Sequence, residues 1–351
     1  MIWTPLLLSD PSACLRWLVL RHLLRYPEDH TEVTELSSIR ENDPLAAEIL
    51  SFQEQDGSWK PYALSEGHAG GTRIFSTAFA LTRLGYLGFD QRHPAVRRGA
   101  AYLFEEQRAD GSWPLPVEVK QGEEGLEPTH REGYDWMPLQ TAFPLRGLAA
   151  CGYATDPRAE RAYEWLLAHR LDDGAWPTGM ASGVYGYVAG YRRLAHSRWG
   201  CRSNTTGALI CLALHPERRV SPEARRTLDL LLGRETQEQS ALGYEVARLV
   251  GAERVRGFIT YFARFDLALI LSLCSRVGVS MEDERLKGII EFIRGQQGPY
   301  GLWEYSNRPQ VSRWLTYDIL RSLSLLDENG EWLSLEPRTP FQTYPRRQKR
   351  F

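Results

Sequence analysis

The strings "QEQDGSW" (53–59) and "QRADGSW" (107–113) each set a glutamine six residues, and a glycine two residues, before a tryptophan. The register returns at Arg170, Gly174 and Trp176, and again at Gln297, Gly301 and Trp303. A helical stretch precedes each turn, as in "RGAAYLFEE" (98–106), "RAYEWLLAH" (161–169), "KGIIEFIRG" (287–295) and the weaker "AAEILSF" (46–52). Four copies in one register restrict the chain to a repeat architecture. Trp59 and Trp113 are 54 residues apart, Trp113 and Trp176 are 63 apart, and Trp176 and Trp303 are 127 apart, about twice that period. A degenerate unit without the tryptophan is therefore expected near 226–243.

A period near sixty residues implies two helices per unit. After each tryptophan comes a loop, then a second and more uniformly apolar run. These are "FSTAFALTRLGYLG" (75–88), "LQTAFPLRGLAACGY" (139–153), "NTTGALICLALHP" (204–216), "RFDLALILSLCSRVG" (264–278) and "RWLTYDILRSLSLL" (313–326). A helix apolar all round is buried, and an amphipathic one covers it. Amphipathic outer helices thus alternate with buried inner ones, and "CLRWLVLRHLL" (14–24) with 43–52 closes the array. The repeated turn has a structural task. The glycine is expected to end the outer helix in a left-handed conformation, the indole to cover the helix end, and the polar side chain to bond unpaired backbone groups.

Bulk properties narrow the function classes. The chain has 351 residues, 43% hydrophobic and 25% charged, with a net charge of −2. That balance argues against a nucleic-acid partner. Five cysteines, an odd number with no CxxC pair, argue against a disulfide framework or structural zinc and fit a reducing cytoplasm. The N-terminus carries no basic run before its apolar stretch, so neither a signal peptide nor a membrane span is expected. Residues 1–335 read as a single domain and 336–351 as a basic tail. No P-loop, dinucleotide fingerprint, HExxH or GxSxG occurs.

The Gln-x-x-x-Gly-x-Trp register with its preceding basic and aromatic positions resembles the QW motif of squalene–hopene cyclases and other class II terpene cyclases. Related units build the β subunits of protein prenyltransferases. The resemblance covers roughly 43–326 and implies an all-α fold, an α/α toroid of five or six helical hairpins with inner and outer helix rings. It also implies an isoprenoid or similar apolar ligand in a hollow, greasy ring, and leaves peripheral membrane contact open. Class II cyclases protonate an alkene with an Asp-x-Asp-Asp motif at an inner-helix start, usually followed by Thr-Ala. Arg73–Ser76 precede Thr77-Ala78, and Met137–Gln140 precede Thr141-Ala142, so no acidic tandem stands there. In "ARFDLALIL" only Asp266 matches the motif, at its last acid. The prenyltransferase zinc set is also unmatched, since Trp199 stands where its acid belongs before Cys201. No metal and no cofactor are expected.

Chemistry is then sought near the inner-helix N-termini, where the long loops 114–138 and 177–203 lie. Asp135, between Tyr134 and Trp136, is the first candidate acid, because an acid among aromatics tends to a raised pKa. Asp266 is the second, and Asp318 is read as a group inside its helix. Tyr134, Trp136, Tyr187 and Trp199 are candidate ligand-facing aromatics. Arg73, Arg202, Arg264 and Arg313 stand at or just before inner-helix starts, where helix N-termini already favour anions, and would receive an anionic or polar head group. Salt bridges to loop acids are the competing use of these arginines. Three functions remain: a proton-donating terpene cyclase-like enzyme, a non-catalytic toroid serving as a ligand-binding or protein-interaction module, and polysaccharide lyase-like chemistry in an exposed cleft.

Overall fold

The computed structural model describes residues 3–64, 72–115, 133–233, 241–253, 266–298, 300–306 and 308–327. Fourteen α-helices are present among these, with one two-stranded hairpin. The N-terminal helices are α1 (Trp3–Leu8), α2 (Ala13–Leu18) and α3 (Thr31–Ile39). Outer and inner helices then alternate: α4 (Pro44–Ser51), α5 (Arg73–Tyr86), α6 (Pro94–Glu105), α7 (Pro138–Ala150), α8 (Pro157–Ala168), α9 (Arg202–Leu214) and α10 (Pro222–Leu232). A short helix, α11 (Tyr244–Leu249), comes before α12 (Leu267–Val277), α13 (Glu284–Gly295) and α14 (Pro309–Leu326).

Four of the five outer helices begin with proline, which costs nothing at a position whose N–H has no helical partner. Asp43, Asp156, Ser221 and Asp283 accept backbone N–H bonds at the helix starts. Their inner partners, α5, α7, α9, α12 and α14, pack side by side in that order. Tyr86 of α5 meets Trp314 of α14 at 5.6 Å between ring centres, which closes the circle. The chain is an all-α toroid, with α4, α6, α8, α10 and α13 outside.

The repeated turns hold the outer ring as the sequence implies, with one correction. Trp59, Trp113, Trp176 and Trp303 are fully buried. Each indole N–H donates to the carbonyl ten residues earlier, on Ile49, Leu103, Leu166 and Ile293, at 2.6–2.8 Å. Gln53 Nε2 donates to Gly57 O at 3.0 Å and to Ala95 O at 2.9 Å in the next outer helix. Gln107 repeats this with Gly111 and Arg158. Arg170 does the same with Gly174 and Glu223. The glycine is left-handed, at φ 88° in Gly57 and 93° in Gly111, but it does not cap the helix. Phe52 and Glu106 cap the two helices, and the glycine lies in the turn beyond. A Cβ there would stand 2.5 Å from Arg98 O and 2.4 Å from Arg161 O, so close backbone contact fixes the residue as well as its φ.

The second correction concerns the middle. The expected degenerate unit supplies α10, but the chain then turns inward as α11. Five of the six α11 residues are buried. It touches α5 and α14, and Glu245 Oε1 reaches Arg146 of α7 at 2.7 Å. Arg83 Nε donates to Leu249 O at 2.9 Å. The ring is therefore partly filled by a charged helix rather than hollow and uniformly apolar.

Candidate functional site

Among the described residues, a cavity of about 370 Å³ opens inside the ring. It lies along the C-terminal halves of all five inner helices, with α11 across it. One wall is apolar and small-to-medium in size, from Ala149, Ile210, Ala213, Leu214, Leu269 and Leu273. The other carries Tyr86, Arg276, Asp318 and Arg321. Small-molecule sites run to ~300–1,000 Å³, so this one is at the lower end.

The charges sort into two groups. Glu245 holds Arg146 and Arg248, each at 2.7 Å. Burial alone would raise its carboxyl, but Arg248 and Arg146 dominate and hold it below the usual range. That group is internally satisfied. Asp90 at the rim pairs with Arg92 at 2.7 Å. Arg276, Arg321 and Asp318 differ. Among the described residues, neither guanidinium forms an ion pair with a carboxylate, and no hydrogen bond reaches the Asp318 carboxyl. Burial pushes Asp318 up to about 6, against the pull of Arg321 and Arg276. Burial and the like charge of Arg321 lower Arg276 to about 10, still a cation at neutral pH. Burial also disfavours the Arg321 charge, but Tyr317 and Asp318 outweigh it and its pKa is raised. Among the described residues, the buried Tyr86 hydroxyl has no hydrogen-bond partner.

The residues expected from sequence lie elsewhere. Asp135 is exposed and accepts the Ser182 N–H at 2.8 Å. It fastens the loop strand at Met180, whose carbonyl accepts the Asp135 N–H at 2.8 Å. Asp266 is buried and caps α12, but its oxygens also accept from Gly243 at 2.9 Å and Glu245 at 2.7 Å, which anchors α11. Burial raises its pKa against those bonds. Tyr134 lies under Gly179 and Gly186, and Trp136 packs on Trp165 and His169. Trp199 faces Tyr185, and Tyr187 is exposed. None of these aromatics lines the cavity.

The arginines expected to gather an anion are dispersed. Arg73 pairs with Glu54 at 2.7 Å and Asp56 at 2.8 Å. Arg313 pairs with Asp10 at 3.0 Å. Arg202 is buried at the start of α9, and Arg264 lies outside the described residues. The cationic group of the cavity is instead Arg146, Arg276 and Arg321, at the other end of the inner helices. Helix C-termini carry partial negative charge, which guanidinium groups there offset. Helical spacing marks these arginines only as interruptions in apolar runs, so their convergence is a tertiary fact.

Residues 31–191 match the squalene-hopene cyclase C-terminal domain family. A squalene–hopene cyclase of Zymomonas mobilis is 29% identical over 151 residues, 43% of this chain and 21% of its own length. One from Schizosaccharomyces japonicus is 30% identical over 240 residues, 48% of this chain and 37% of its own. Human lanosterol synthase is 26% identical over 166 residues, 46% of this chain and 20% of its own. The chain thus spans well under half the length of these relatives. Among solved structures, a variant of the type II terpene cyclase MstE from Scytonema in complex with geranylgeranyl dihydroxybenzoate matches with TM-score 0.48 and 19% identity. That match covers 82% of this chain and 73% of the other. Over part of its length, then, the chain is similar to squalene-hopene and lanosterol cyclases, and residues 31–191 carry the family match.

Proposed function

We propose that this chain binds an isoprenoid or similar apolar chain in the cavity at the C-terminal ends of its inner helices. The observation that carries the reading is the continuous apolar wall from α7, α9 and α12 inside a closed ring of helices. Burying a short prenyl chain there gains about 25 cal/mol per Å² of apolar surface. The relatives that share its sequence are cyclases of squalene-type substrates, which supports the ligand class. The volume favours a shorter chain than theirs. At about 370 Å³ it lies near the lower end of small-molecule sites, ~300–1,000 Å³.

As an enzyme, the chain would need a proton donor at the cavity; of the lining acids, Asp90 and Glu245 are ion-paired, and Asp318, with its carboxyl raised by burial, is the one suited to donate. Asp135 and Asp266 are committed to backbone bonds. A non-catalytic binding toroid is the second reading, favoured by the charged helix α11 inside the ring. Native mass spectrometry of the purified protein with added prenyl alcohols tests binding itself. A stoichiometric complex with a short prenyl alcohol supports the proposal, and a bare protein across the whole series refutes it.

A further inference from the structure

Arg276 and Arg321 present a problem of charge. They come from different inner helices, α12 and α14, and line one cavity, where the Arg321 charge disfavours that of Arg276. Both side chains are part-exposed into the cavity, and two like charges lining one cavity repel. The nearby carboxylates are largely spoken for: Glu245 of α11 by Arg146 and Arg248, Asp90 by Arg92, and Asp266 by three backbone N–H groups. His22, from the segment after α2, is engaged with Tyr317 at 2.6 Å. Among the described residues, Asp318 is the lining carboxyl that acts on both guanidiniums, and it forms no ion pair with either. One carboxyl opposite two guanidiniums leaves an excess positive charge at the cavity, with Arg321 hydrogen-bonded to the Tyr317 side chain and neither guanidinium ion-paired among the described residues. Tyr86 adds, on the same wall, a buried hydroxyl without a partner among the described residues.

We propose that Arg276 and Arg321 form a clamp for the oxyanion head, carboxylate or phosphate, of the short apolar ligand. The inference rests on the cavity-binding reading above and adds polarity and direction to it. The head lies between α12 and α14 with the Tyr86 hydroxyl as a further donor, and the chain runs along Ala149, Ile210 and Leu214. Guanidinium forks suit such heads because they offer paired donors in the plane of two oxygens. Asp318 works against an anion while ionised, and its raised pKa limits that opposition near and below pH 6.

The test is isothermal titration calorimetry of the full chain at pH 8 with geranyl phosphate, geranic acid and geraniol. The clamp predicts that at least one of the two oxyanions binds tenfold or more tighter than geraniol, the scale of a charge-assisted hydrogen bond of about 1.5–3 kcal/mol. The preferred head then separates phosphate from carboxylate. Arg276→Gln and Arg321→Gln should each remove about tenfold of oxyanion affinity and a clearly smaller part of geraniol affinity. Asp318→Asn should tighten the oxyanion several-fold, an increase that a loss of fold would not produce. Geraniol binding as tightly as both oxyanions overturns the clamp while the cavity reading stands. Failure of all three ligands to bind the folded wild type overturns both.

Discussion

Glu245 Oε1 and Oε2 each stand 2.7 Å from an arginine, Arg146 of α7 and Arg248 of α11 itself. All three side chains are buried. This bridge pins a six-residue helix, too short to be stable alone, inside the ring. Removing one partner of such a group leaves uncompensated buried charge, at a cost of about 3–5 kcal/mol. Glu245→Gln is expected to lower the urea midpoint accordingly. A change under ~1 kcal/mol would show that α11 is held by packing alone.

The outer ring offers a comparison between copies of one motif. Gln107 bonds both its own turn and Arg158 of the next outer helix, whereas Gln297 bonds only Gly301 among the described residues. Each net hydrogen bond contributes about 0.5–1.5 kcal/mol. Gln107→Ala should therefore cost about twice as much as Gln297→Ala in chemical denaturation. Equal costs would mean that the tie between outer helices contributes nothing.

Trp113 fills the space beneath the turn completely and bonds Leu103 O at 2.7 Å. Trp113→Ala should cost ~3–5 kcal/mol from lost burial and the cavity left behind. The check is the fall in unfolding free energy, and a loss below ~2 kcal/mol would show that the ring collapses to fill the hole.

Asp318 gives stability a definite pH dependence. Its folded value, about 6, is above the ordinary 3.8, so the native state binds more protons than the unfolded state between those values. Its contribution is most favourable below about pH 4, declines as pH rises to about 6, and is flat above that, for a total on the order of 3 kcal/mol. The difference in unfolding free energy between wild type and Asp318→Asn should widen across that window in favour of the variant. A difference independent of pH would show that the carboxyl titrates normally.

Much of this fold is legible in the chain itself. The helical runs before Trp59, Trp113, Trp176 and Trp303 identify outer helices, and the inner ones follow from apolar length. The position of α11 is not legible. "YEVARL" alternates charged and apolar residues as a surface helix would, and its burial depends on Arg146 from far along the chain. Local pattern also misplaced the cations. Arg73 and Arg313 look like an anion-binding set because they precede helices, yet Glu54, Asp56 and Asp10 reach them first. Arg276 and Arg321 interrupt otherwise apolar helix faces, a departure from amphipathic pattern that signals an interior polar site once the ring is closed.

The location of the ligand separates the structural account from the sequence-based one. Hydrogen–deuterium exchange with and without a bound short-chain prenyl ligand measures it directly. Slower exchange is predicted in α11 and in the C-terminal halves of α7, α9, α12 and α14, with no change at 177–201. Protection confined to Asp135 and the 177–201 loop, leaving α11 and the Arg276 and Arg321 turns as they were, would contradict the cavity as the binding site.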